Sequence, residues 1–92
     1  MSHTIRDKTK LLNRVRRIRG QVDAIERALE AEAGCEQVLH AIAACRGALG
    51  GLLGEVVEEH IHSHLVEPLR DTAPAAADAA EQLVDVFRGY IK

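Results

Sequence analysis

Five histidines and two cysteines are the side chains of this 92-residue sequence best suited to metal chemistry. Three of the histidines alternate in EEHIHSH, Glu58 to His64. His60 and His64 are four residues apart, so on a helix they share a face and can chelate one ion. Glu59 and Asp7 are candidate outer acceptors for the imidazole N–H groups. His62 points about 200° round the helix from His60 and is expected at the surface or beside the site. His40 has no partner in the pattern. Cys45 falls on an apolar seam, where a free cysteine is usually core. Cys35 and Cys45 would lie about 15 Å apart along one helix, too far for a disulfide. No nucleophile–base–orienter set is present, so an enzyme is not expected.

Three helices must position these residues. Leu11, Val15, Ile18, Val22, Ile25 and Leu29 step by fours and threes, a heptad-like seam. Thr4 and Asp7 resemble a capping box, which predicts a first helix over about 4–32 that stops at Gly34. Val38, Ile42, Cys45, Leu49, Leu52 and Val56 repeat the seam in a second helix over about 36–66, ended by Glu67-Pro68. Leu39, Leu53 and Val57 widen its apolar surface, so it needs more than one neighbour. Pro74 opens a third helix over 74–91, with Ala76, Ala80, Leu83, Val84, Phe87, Tyr90 and Ile91 as its stripe.

A hairpin of the first two helices pairs Leu29 with Val38, Val22 with Cys45, Val15 with Leu52 and Leu11 with Val56. The same register sets His3 beside His64 and Asp7 beside His60. Cys35 is at the opposite end, roughly 37 Å from His60 along the helix, so within one chain the two cannot share an ion. Two copies of the second helix packed antiparallel would bring Cys35 to the partner's His60 or His64. Gly47, Gly50, Gly51 and Gly54 lie at that midpoint. Each costs up to about 1 kcal/mol against alanine in a helix, a cost that close helix approach would offset, a kinked helix being the other reading.

Composition agrees with a small, single all-α domain spanning 1–92 that assembles with copies of itself. One Phe, one Tyr and no Trp leave little to build a core from. The N-terminus is polar and basic, unlike a signal peptide, and no uncharged run approaches the about 20 residues of a membrane span. A cytoplasmic protein without a membrane partner is expected. The net charge of −2 conceals an asymmetry: residues 1–19 carry seven Lys/Arg against one Asp. Arg6, Lys10, Arg14 and Arg17 form a stripe with no interleaved acid, and Arg16 and Arg19 extend it. Such a basic segment on an acidic body suggests a polyanion-binding face.

The segments MSHTIRDK, RVRRIRGQVDAIERALE, IAACRGALGGLLGEVVEEHI and the terminal YIK, together with Cys35, resemble the CsoR/RcnR-like family of metal- and formaldehyde-responsive repressors. The resemblance covers nearly the whole chain. It implies a flat, all-helical dimer-of-dimers tetramer without a helix-turn-helix, with sensing sites between subunits. The family's sensing positions fall on His3, Cys35, His60 and His64, a set similar to the nickel/cobalt branch. Ni(II) or Co(II) is the implied inducer, with Zn(II) also compatible with imidazoles and one thiolate. Arg14 and Arg17 match positions implicated in operator contact, and Arg46 joins them. RVRRIRGQ and AIERALE are closer to the formaldehyde branch, so formaldehyde bridging the N-terminal amine and Cys35 is a second expectation. A zinc-binding structural or storage protein is a third.

Overall fold

The computed structural model describes residues 7–91. Helix α1 spans Lys8–Glu30, α2 spans Cys35–Ile61 and α3 spans Pro74–Ile91. No strand occurs among the described residues. The expected all-α, three-helix protomer is therefore correct. The Thr4 half of the predicted capping box, and His3, lie outside the described residues.

The α1–α2 turn departs from expectation. The residue that reverses the chain is Glu32, at φ 55°, not Gly34. Its N–H bonds the Leu29 carbonyl at 3.1 Å, and the Ala33 N–H bonds the Ala28 carbonyl at 2.9 Å. These are the two bonds of a Schellman cap, which demands one left-handed residue directly after the last turn. That position falls two residues before the glycine. Gly34, at φ −59° and ψ 152°, instead precedes the first residue of α2.

Pro68 does not end the second helix. α2 continues as a π-helical turn, His62–Val66, and a further α-helical turn, Glu67–Leu69. Glu67 keeps helical angles, and its N–H bonds the His62 carbonyl five residues back. The wider turn meets a residue that has no N–H to donate, and Pro68 sits at the start of the following turn, where proline is tolerated.

The hairpin keeps its predicted register but is rotated about each helix axis. Arg14, expected opposite Leu53, reaches Gly51 and Glu55, two positions to either side. The stripe of α1 turned toward α2 is Leu11, Arg14, Ile18, Gln21, Ile25 and Ala28, while Val15, Val22 and Leu29 are exposed. On α2 the covered stripe is Val38, Ala41, Cys45, Ala48, Leu52 and Glu55, while Leu39, Ile42, Leu49 and Leu53 are exposed. The predicted pairing of Val22 with Cys45 and Leu29 with Val38 is thus corrected. Alanines and a glycine let the two helices approach, and about half of the seam aliphatics, Val15, Val22, Leu29, Ile42 and Leu49 among them, stay outside.

The third helix packs on the continuation of α2. Val66, Ala77 and Ala80 are buried together, with Ile61 and Leu69 against them. Val84 is also buried. Ala76, Leu83 and Tyr90, expected on the packed stripe, face away, and Ala77 takes the inward position. Arg70 donates to Asp78 at 3.0 Å and to Glu81 at 2.9 Å, tying the connecting turn to α3. The protomer measures 59 × 26 × 13 Å, with a radius of gyration of 17.6 Å. A compact domain of about 100 residues has roughly 13 Å, so this chain alone is a slab rather than a globule.

Candidate functional site

His60 lies in the last turn of α2, which ends at Ile61, and His64 lies in the π turn. Their ring centroids are 4.3 Å apart, with the planes tilted by 38°. Two imidazoles so placed can offer nitrogens to one ion. Cys35 is the first residue of the same helix and is exposed. The full length of α2 separates it from the histidines. No group of three His, Cys, Asp or Glu side chains converges on a metal position among the described residues. His60 and His64 fit a transition-metal site as two adjacent ligands. His3 lies outside the described residues. Cys45 is 6% exposed, in the core as the seam predicts. His40 is exposed.

His62 is more involved than its angle on a regular helix indicates. It is half-buried and lines two clefts. One, between α1 and α2, is bounded by Asp7, Lys10, Glu55 and Glu59. The other, against α3, is bounded by Glu81 and Arg88. Asp7 and Glu59, the expected outer acceptors, therefore share a cleft with His62. Glu59 accepts a hydrogen bond from the Ser63 hydroxyl at 3.1 Å.

A clamp between α2 and α3 borders this region. Arg88 Nε donates to Glu58 Oε1 at 2.9 Å, and Nη2 pairs with Oε2. The Arg88 hydrogen bond holds the Glu58 carboxyl below its ordinary value of 4.5, against an opposing push from partial burial. The charges of Arg88, His62 and Lys10 add to the lowering. Arg70 depresses the Glu81 carboxyl in the same way, chiefly through its hydrogen bond.

The cations of α1 fall into two sets. Arg17 and Arg19 are exposed and, like Arg46 on α2, form no ion pair among the described residues. Arg16 donates to Asn13 at 3.1 Å and remains exposed. Lys10 and Arg14 instead converge on Glu55: Lys10 Nζ is 3.3 Å from Oε2, and Arg14 Nε pairs with Oε1. Lys8, which the stripe on the sequence does not single out, joins Lys10, Arg14 and Arg17 around one concave surface. Glu55 is a second residue that sequence reasoning misses. Its signal is a lone acid in the apolar run LLGEVV, within a helical turn of the position opposite Arg14.

No helix among the described residues is long and apolar enough to cross a membrane. The model of the metal-sensitive transcriptional repressor family matches residues 7–89. A Serratia marcescens protein named for the bioA 5′ region is 50% identical over 100 residues, spanning all of both chains. The transcriptional repressor RcnR of Citrobacter koseri is 42% identical over 92 residues, again spanning both. Among solved structures, the E64H variant of the formaldehyde-responsive regulator FrmR from Salmonella enterica serovar Typhimurium is 45% identical. That match covers 92% of this chain and 94% of the other, at a TM-score of 0.64. Helical architecture, ligand-type histidines and basic first helix meet in one assignment: this chain belongs to the CsoR/RcnR family of metal-sensitive transcriptional repressors.

Proposed function

We propose that this repressor binds operator DNA in its metal-free form and is released by Ni(II) or Co(II). The observation that carries the reading is the adjacency of the His60 and His64 rings, with Cys35 at the opposite end of the same helix. In this reading His3, His60 and His64 of one chain and Cys35 of the partner subunit hold the ion, with Asp7 and Glu59 as outer acceptors. When bound, the ion supplies a rigid junction between arm, helix and partner. Imidazoles with a single thiolate suit Ni(II), Co(II) and Zn(II) better than Cu(I).

The site needs more than one chain, and the exposed aliphatics support a homotetramer of the family's kind. Val22, Leu29, Leu39, Leu49, Leu53 and Leu83 are each at least half exposed in the protomer. An apolar surface of that extent marks an interface. Lys10, Arg14, Arg16, Arg17, Arg19 and Arg46 are the residues we assign to DNA. His3 precedes α1 in the chain, and the next turns of α1 carry Lys10, Arg14 and Arg17. One rigid helix thus links sensor to phosphate contacts, and a coupling of about 1–3 kcal/mol is ordinary for such a switch. The role is regulatory rather than catalytic, and we place it in the cytoplasm.

Co(II) titration of the reduced, metal-free protein tests the ligand set. A sulfur-to-cobalt charge-transfer band with weak d–d bands is expected, meaning a thiolate-containing, six-coordinate site. Intense d–d bands would indicate four-coordination and Zn(II). Absence of the thiolate band would overturn the Cys35 assignment. DNA affinity that falls steeply with salt is expected as well, whereas a zinc-binding storage protein would show none.

The 45% identity to a formaldehyde-responsive regulator favours a second reading, in which Cys35 and the N-terminal amine capture formaldehyde. It predicts that formaldehyde releases DNA from the metal-free protein and that Cys35→Ala abolishes the release.

A further inference from the structure

Arg14 occupies a receptor built on α2. An ideal Cβ at Gly51 would lie 2.8 Å from Arg14 Nη1, so the guanidinium fills the space that the glycine leaves. One turn further along α2, Glu55 pairs with Arg14 Nε. The buried Glu55 Oε1 is held by this charge contact rather than by an aligned hydrogen bond. Its other oxygen takes Lys10. The Arg14 side chain is 33% exposed and that of Glu55 25%, against 65% for Lys10. The pair is therefore partly withdrawn from solvent, where screening by salt is weaker.

We infer that Glu55 is a positioning residue that competes with DNA phosphate for Arg14 and Lys10, and so restrains the affinity of the repressor for its operator. The inference rests on the DNA-binding role proposed for these cations. A phosphate approaching α1 meets Arg17 and Arg19 directly, but must displace a carboxylate to engage Arg14 fully. Lys10, Arg14 and Glu55 together present one net positive charge instead of two. The glycine at 51 and the acid at 55 then have one shared purpose: the first makes room for the guanidinium and the second retains it. A restrained resting affinity leaves a modest coupling free energy enough to cause release.

The test compares wild-type protein with Glu55→Gln by titrating a fluorescent duplex of mixed sequence over a range of salt concentrations. The amide keeps the shape of the side chain and removes its charge. The expected result is on the order of tenfold tighter binding at physiological ionic strength, with a salt slope steeper by up to about 1.8, two phosphates at about 0.9 each. Adding Arg14→Ala to Glu55→Gln should remove most of the gain. Gly51→Ala is the second variant: its methyl displaces the guanidinium while Glu55 remains and alanine favours the helix, and because Gly51 also lies at the expected approach of two second helices, its oligomeric state is matched to wild type before DNA binding is compared. It should tighten binding in the same direction. Unchanged or weaker binding in both single variants, or tightening with an unaltered salt slope, overturns the inference while the DNA role stands. A wild-type protein that does not bind DNA overturns both.

Discussion

The rings of His60 and His64 lie 4.3 Å apart although a change of helical pitch begins between them. A regular helix already brings residues four apart to one face, and the π turn that starts at His62 leaves the pair in contact. This adjacency makes the two histidines a unit. His64→Leu is expected to lower Co(II) affinity by more than the roughly 10–100-fold typical of losing an outer partner, because the proposed site loses a direct ligand. DNA binding by the metal-free protein should be retained. Loss of DNA binding together with metal binding in this variant would show that sensor and DNA contact are not separate.

Arg88 and Glu58 are 30 residues apart in sequence and joined by two contacts. The folded-state carboxyl of Glu58 lies below its ordinary 4.5. A depressed carboxyl contributes stability that is complete above the unfolded value and is lost as pH falls through the folded one. Arg88→Met should therefore melt below wild type at neutral pH, and the gap should close as pH drops below about 4.5. A gap that persists in strong acid would mean that packing of the Arg88 stem, not the charge pair, holds α3.

Glu32 carries a conformational penalty at φ 55° that glycine would not. Glu32→Gly is predicted to stabilise the protein by up to about 1 kcal/mol, the relief of left-handed strain being partly offset by the entropy of the unfolded glycine. Denaturant unfolding measures it. A destabilised variant would show that the Glu32 side chain makes a compensating contact in the assembly.

Ala77 is 0% exposed and meets Val66, itself 2% exposed. A larger side chain at 77 would have to push into this covered cluster. Ala77→Leu should destabilise by about 1–3 kcal/mol through overpacking, read as a fall in Tm. Ala76→Leu, one residue earlier on the exposed side of α3, should be near neutral. Equal effects at both positions would contradict the observed facing of the helix.

Much of the architecture is legible in the residues. Pro74 marks the start of α3, because proline suits a first helical turn, and the structure begins α3 there. The fours-and-threes pattern identifies α1 and α2 and their antiparallel register. His60 and His64 can be placed on one face from spacing alone, since four residues nearly complete a turn.

Rotation of the helices is not legible, for a physical reason. Val15, Val22 and Leu29 alternate with Leu11, Ile18 and Ile25 on one apolar seam, so a chain read by itself turns all six inward. The protomer keeps Leu11, Ile18, Ile25, Val38, Cys45 and Leu52 of the two seams inward but fills the alternate places with Ala28, Ala41 and Ala48, because small residues allow close approach and the displaced aliphatics can be covered from outside. The reversal at Glu32 rather than Gly34 is set by the hydrogen bonds of the helix end, which residue preferences express only weakly. Continuation of the helix through Pro68 depends on a π turn, whose cost and gain are tertiary. Glu55 shows the same division. Its charge and its place in an apolar run are sequence facts, but its hold on Lys10 and Arg14 exists only because two helices meet at that level with a glycine beside it. Residue types and their spacing were enough to establish the helices, the shared face of His60 and His64 and the basic first segment. Which sides of the helices meet was settled by folding, because that choice turns on the space between backbones.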